Sequence, residues 1–367
     1  MKNNFSQGTV MKYLASFLAL CATAFCDTQH EALPIAPGSI TPPNHITPGA
    51  GPRVNHGIDA FITGDFIYWT ARTDNLSYVM TGAGNSITNV DKGSTKYPNW
   101  SWNPGFKAGV GLNLSHESWD ICAEYTWFYS SASNTSNASG NGMLPTWNIT
   151  NDPALIQSND SIIQARGEWD IHFYTIDVSL GRNYFVSRFL MLRPFIGFKG
   201  GWIDQNYRVR YTIETTPIDT SLRMKNDQDY WGVGLRSGLK TAWHIDPSWS
   251  LYGDLALATL WSQFEVARSD TRVDSRNPGA GNPPLDTPIT SIHVKDSFHT
   301  IKGVLEFGMG LRGDWWFFEN RYHFMIQAGW EEQLWINHNN FKRVRVVQAG
   351  HGDLSLQGLT IKLRFDF

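Results

Sequence analysis

Cysteine is nearly absent: the 367 residues include three, with Cys21 and Cys26 near the N-terminus and only Cys122 in the body of the chain. A disulfide framework therefore cannot be what holds this protein together. Charge is scarce as well, at 17% of residues against the roughly 25% usual for a soluble globular chain. The net charge of −3 and the pI of about 6.4 give no electrostatic argument for nucleic acid as a partner. Beyond the N-terminus no apolar run reaches about 18 residues, which with a mean hydropathy of −0.31 excludes a helical membrane protein. The chain has no G-x-S-x-G, H-E-x-x-H, paired C-x-x-C or phosphate-cradling glycine loop, so no catalytic residue, metal site or cofactor is expected.

Aromatic residues and glycine are abundant instead, with 16 Trp, 13 Tyr, 21 Phe and 33 Gly. The N-terminus sets the compartment. Lys12, the apolar stretch Tyr13 to Leu20 and the small-residue site Ala22-Thr23-Ala24 have the three-part pattern of a secretory signal peptide over residues 1–24, with Met11 an alternative start. Residues 25–57 form a proline-rich, solvated segment, and the remaining domain spans 58–367.

From Ile58 onward, apolar residues recur at every second position. Phe106, Ala108, Val110, Leu112 and Leu114 alternate with Lys107, Gly109, Gly111 and Asn113, which is the period of a strand with one apolar face. The same pattern runs through Trp119 to Trp127, Trp231 to Trp243, Leu251 to Trp261 and Ile301 to Trp315. Further strands are expected from about Ala60 to Thr70, Trp169 to Gly181, Phe189 to Trp202, Tyr322 to Trp335 and Leu354 to Phe367. The connections alternate between short turns, such as Ser115 to Ser118, and long loops near 71–104, 131–168, 203–230, 267–298 and 336–352.

Strands of this length, with short turns at one end and long loops at the other, specify an all-β fold: a transmembrane up-and-down antiparallel β-barrel. Ten to twelve strands are favoured, more if a long loop hides a hairpin, as Tyr207 to Glu214 suggests. Sandwich strands are typically half as long. Trp119 and Trp127, or Trp231 and Trp243, fall at opposite ends of one face, as girdles at the two rims of an apolar band would. The expected location is the outer membrane of a Gram-negative cell, as a multi-pass β-barrel in contact with outer-membrane lipid. The last strand ends Leu363, Phe365, Phe367; Phe365 and Phe367 are read as the signal that the barrel assembly machinery recognises.

Five blocks carry a resemblance: Trp102 to Phe128, Leu190 to Gln205, Tyr230 to Trp243, Ala328 to Trp335 and Gly352 to Phe367. In this order they resemble the pore-forming major outer membrane proteins of the Legionella type, to which chlamydia-related bacteria contribute MOMP-like members. The resemblance implies an abundant surface porin for passive diffusion of small hydrophilic solutes and ions. Cysteine-rich members form disulfide-linked complexes, and the sparse cysteine here does not support that. Whether the chain forms a homo-oligomer stays open.

Assigning every polar face to the lumen gives Asp120, Glu124, Asp170, Asp177, Arg193, Lys199, Arg236, Lys240, Lys302, Glu306 and Arg312 as pore-lining residues. Asp170 reaches that face only if its strand changes face near Phe173. Acid then gathers on one wall and base on another, which would set up a transverse field. Glycine on the polar faces favours an open interior, whereas ten strands make a narrow one. The alternative function is therefore a closed-lumen structural barrel, or an adhesin acting through its long loops. Asp170 with His172 suggests an outer-membrane hydrolase, but no nucleophile accompanies them. Glu331 and Glu332 point to opposite faces and cannot share a cation, and Cys122 faces inward as a tolerated small residue.

Overall fold

A computed structural model of the chain describes residues 50–52, 54, 57–82, 93–114, 118–138, 143–147, 161–214, 218–276, 287–343 and 351–367. The expected signal peptide, Cys21, Cys26, most of the proline-rich segment and the stretch Asn277 to Pro284 lie outside these residues. Fourteen strands follow one another: β1 (Ala60–Thr73), β2 (Val79–Thr81), β3 (Ser94–Lys96), β4 (Trp102–Asn113), β5 (Trp119–Asn137), β6 (Met143–Pro145), β7 (Ser161–Arg182), β8 (Tyr184–Phe185), β9 (Leu190–Glu214), β10 (Ile218–His244), β11 (Trp249–Arg276), β12 (Thr287–Phe317), β13 (Tyr322–Asn339) and β14 (Gly352–Asp366).

The ten long strands pair antiparallel in the order β1-β4-β5-β7-β9-β10-β11-β12-β13-β14. Pairing of β14 with β1, from Phe61 opposite Asp366 to Thr73 opposite Leu354, closes the ring. Closure leaves the ten-stranded wall without an edge strand, which a lipid environment demands. The terminal Phe367 joins the same seam, its backbone N–H donating to the Ala60 carbonyl at 2.9 Å. Phe365 faces outward and stacks on Tyr322 at 5.7 Å.

Alternation sorts the side chains. On β10, Trp231, Val233, Leu235, Leu239 and Trp243 face outward, while Arg236 and Lys240 face inward. Aromatic residues bound this outward apolar band. On one rim Trp202 lies opposite Trp231, Trp231 packs on Trp261 at 5.4 Å, and Trp102 touches Tyr68 at 5.9 Å and Trp330 at 5.7 Å. On the other rim Trp249 packs on Trp315 at 5.5 Å. The span from Trp231 to Trp243 covers about 30 Å along the barrel axis, a bilayer thickness.

The wall does not stop at the upper girdle. The stretches expected to be loops near 203–230 and 267–298 are largely strand, because β9 to β12 continue well past Trp202, Trp231 and Trp261. Tyr207 to Glu214 is the end of β9 rather than a further hairpin, and Ser131 to Asn137, at the start of the loop expected near 131–168, belongs to β5. Beyond the girdle the pattern inverts. Tyr207, Val209, Tyr211, Leu222 and Met224 are buried inside, whereas Arg208, Arg210, Arg223 and Lys225 point out. Only water outside and a packed interior explain that inversion.

Inward glycines make room for large neighbours rather than an open channel. Gly238 lies opposite Phe195, and a Cβ there would sit 2.6 Å from Phe195 Cζ. Gly111 lies opposite Phe61 in the same way. Gly238→Val is therefore expected to destabilise the folded barrel by about 1–3 kcal/mol through overpacking. Its urea unfolding midpoint, followed by the mobility shift between unboiled and boiled protein, should fall; an unchanged midpoint would mean that Phe195 is not held there.

Candidate functional site

Strand parity carries most of the expected lumen residues inward, and the barrel is narrow enough for them to meet. Lys199 on β9 reaches Asp177 on β7 at 3.0 Å and Glu306 on β12 at 2.9 Å. Arg236 on β10 bridges the same two carboxylates, at 2.5 Å to Glu306 and 3.5 Å to Asp177. These four side chains form one closed knot across the interior. Arg193 clamps Asp120 through Nε at 2.8 Å, and Asn183 donates to the same carboxylate at 2.5 Å. Lys362 joins Glu124 at 2.5 Å and Asp65 at 3.3 Å, and Lys107 pairs with Glu331 at 2.5 Å. Nearer the turns, Arg312 holds Asp314 at 2.8 Å, which also accepts from His323 at 3.0 Å.

This geometry corrects the expectation of an acidic wall facing a basic one. Asp120 and Asp177 are neutralised locally by Arg193, Lys199 and Arg236, so the transverse field cancels pair by pair. Pairing is what buried charge requires, since an uncompensated ion away from bulk water is costly. Lys240 faces inward beside Asp254, and Phe195 lies under three cations, with Arg236 at 4.9 Å, Arg193 at 5.5 Å and Lys240 at 6.0 Å from its ring. Lys302 is also inward and donates to the Asn337 carbonyl. Between the knots lie two cavities of about 130 and 70 Å³, both lined by the charged residues Glu124, Lys240, Asp254 and Lys362. Cys122 lines the larger one as a free thiol. Among the described residues no group of three His, Cys, Asp or Glu side chains is placed to hold a metal ion.

Asp170 is the exception. Alternation along β7 is unbroken from Ala165 to Asp177, the strand's register shift lying further up at Ile162/Gln164, so Trp169, Ile171, Phe173 and Asp177 point in while Asp170 and His172 point out. Asp170 accepts from Arg208 at 2.6 Å and Asn206 at 2.8 Å, and His172 packs against Tyr129 at 4.7 Å. The face change near Phe173 does not occur, and among the described residues no hydrogen bond joins Asp170 to His172. Glu331 is inward and Glu332 outward, as strand parity requires.

Above the ion pairs the interior changes character. Trp69, Phe128, Trp169, Phe173, Phe264 and Trp335 point inward as an aromatic tier. Over this tier sit segments from the connections themselves. β2, β3 and β6 form a small three-stranded sheet, and Leu76, Tyr78, Val79, Trp147 and Phe341 are buried against the wall. The Tyr207 hydroxyl donates to the Leu76 carbonyl at 2.8 Å, and the Tyr211 hydroxyl donates to that of Tyr78. The Trp147 indole donates to the Ser77 carbonyl at 2.7 Å, packs on Tyr207 at 5.5 Å and lies under the Arg343 guanidinium at 4.4 Å. These loop segments plug the outer mouth. The sequence expectation missed them, although Leu76 to Met80 (LSYVM) and Met143 to Trp147 (MLPTW) are apolar runs inside otherwise polar connections.

Outside the barrel, just beyond the girdle, Asp204 faces Asp229 across β9 and β10. Burial, then the neighbouring carboxylate, pushes both above the usual range; for Asp229 the neighbours are Asp227 and Glu265.

The family model described as the Legionella pneumophila major outer membrane protein precursor matches residues 52–367. No curated protein matches the chain significantly. Similar solved structures are the outer membrane protease OmpT from Escherichia coli (9% identity, 84% of this chain, 96% of that one, TM-score 0.36) and a FadL homologue from Pseudomonas aeruginosa (9% identity, 84% and 89%, TM-score 0.25). A deletion mutant of the TodX monoaromatic hydrocarbon channel is also similar (8% identity, 84% and 90%, TM-score 0.25).

Proposed function

Because this chain belongs to the Legionella major outer membrane protein family, and is thus a β-barrel of the Gram-negative outer membrane, we propose that it is a narrow diffusion channel for small hydrophilic solutes and ions, closed at rest by its loop plug. One observation carries the proposal. At membrane depth the interior is polar and cavity-bearing, whereas the loop-borne part of the apolar seal comes from Leu76, Tyr78, Val79, Trp147 and Phe341, which are not wall residues. The part of the seal carried by loops is displaceable without unfolding the wall, which keeps its own aromatic tier. Once that part is displaced, the path runs past the aromatic tier into a section lined by paired charges, so small polar solutes are favoured over apolar ones with little preference between cations and anions. No catalytic step is part of this function.

Solute flux into liposomes tests the proposal. Wild type should admit small ions and glycerol-sized solutes slowly, Tyr78→Ser/Trp147→Ser should admit them faster, and both should exclude large oligosaccharides. Absence of flux in both proteins, each shown to be folded by its mobility shift on boiling, would identify a closed structural barrel instead.

A further inference from the structure

On the outward face above the girdle, β7, β9 and β10 form a ladder whose rungs are fixed by the strand register. The girdle rung is Tyr174, Trp202 and Trp231. Above it come His172, Asp204 and Asp229, then Asp170, Asn206 and Asp227, then Glu168, Arg208 and Lys225, and finally Arg166, Arg210 and Arg223. The last rung places three arginines directly opposite one another on adjacent strands, about 10 Å from first to last. Like charges in direct cross-strand register are destabilising. Arg166 is relieved by Glu168 at 2.6 Å, Arg208 by Asp170 at 2.6 Å and Lys225 by Asp227 at 2.7 Å. Arg210 and Arg223 face each other with no carboxylate partner among the described residues. The two upper rungs line a concavity of about 460 Å³.

We propose that these two rungs are a binding site for the phosphorylated core of a lipopolysaccharide molecule standing beside the barrel. Chemistry and position both select this occupant. Arginine forks bind phosphate oxygens in pairs, and an anion seated among Arg166, Arg210 and Arg223 supplies the countercharge that the register lacks. Arg210 lies eight residues beyond Trp202 on β9, about 20 Å above the girdle. That height is the glycan layer of a lipid whose acyl chains cover Phe198, Trp202, Trp231 and Val233 below. The intervening carboxylates Asp204 and Asp229 disfavour an anion at the girdle itself and leave the upper rungs as its seat.

The test compares folded wild type with Arg166→Ser/Arg210→Ser/Arg223→Ser, using fluorescent lipopolysaccharide and the same molecule after enzymatic dephosphorylation. The mobility shift on boiling confirms the barrel in each protein, and Arg210→Gln alone serves if the triple variant does not fold. Wild type should bind the phosphorylated form at least tenfold more tightly than the variant does and than it binds the dephosphorylated form, with affinity falling as salt rises. The triple Arg→Lys protein should retain part of that affinity. Equal binding by wild type and variant, or equal binding of the two lipopolysaccharides, overturns the proposal. Displacement of the bound lipid by low concentrations of inorganic phosphate also overturns it, since that outcome defines a simple anion site.

Discussion

Glu306→Gln is expected to destabilise the barrel by about 3–5 kcal/mol, because it removes one of the two carboxylates that, among the described residues, Lys199 and Arg236 share. The Lys199 side chain is 0% exposed, so the excess charge cannot turn to water. A single remaining carboxylate, Asp177, would face two buried cations. The loss should appear as a lowered urea midpoint of the mobility shift on boiling. Adding Arg236→Gln restores the charge balance, and the double variant should recover part of the stability lost by the single one. A Glu306→Gln protein within 1 kcal/mol of wild type would mean that these charges are solvated rather than knotted together.

Trp147→Ala is expected to have a comparable effect confined to the mouth. It removes a buried indole, its hydrogen bond to Ser77 and the surface beneath Arg343. Truncating a buried Trp costs about 3–5 kcal/mol, so local opening of the plug should become at least about two orders of magnitude more populated. Hydrogen exchange of the amides of β2, which pair with β3 and β6, should accelerate by that factor, while amides of β10 and β11 in the wall keep their protection. Acceleration of both sets together would show that plug and wall unfold as one unit.

The barrel is legible because period-two alternation survives wherever one face meets lipid, and β10 from Trp231 to Trp243 shows it, with Ser237 and Thr241 as the two polar residues on the outward face. Strand ends were not legible, for a physical reason. At Trp202 and Trp231 the medium outside changes from lipid to water, the apolar face moves from outside to inside, and a search for one continuous apolar face stops there. Parity fixed the inward direction of Lys199, Arg236 and Glu306, but it does not say which walls face each other. Lys199 and Glu306 meet across the lumen over a long stretch of chain, with β10 and β11 between their strands, and that contact depends on barrel diameter. The inward assignment of Asp170 needs a face change near Phe173, and the β7–β9 register is continuous there, its one shift lying at Ile162/Gln164. The plug left a trace in the sequence, two short apolar runs in polar connections, but no local pattern says that a loop turns inward.

Single-channel recording of wild type in a planar bilayer tests the gated barrel most directly. A lumen crossed by ion pairs and capped by a loop plug should give a baseline that is closed most of the time, interrupted by brief openings of small, uniform size. Trp147→Ala should raise the frequency of those openings without changing their size, because the ion pairs at membrane depth, not the plug, set the narrowest passage. A steady, large conductance in wild type, or openings whose size grows in Trp147→Ala, would contradict it.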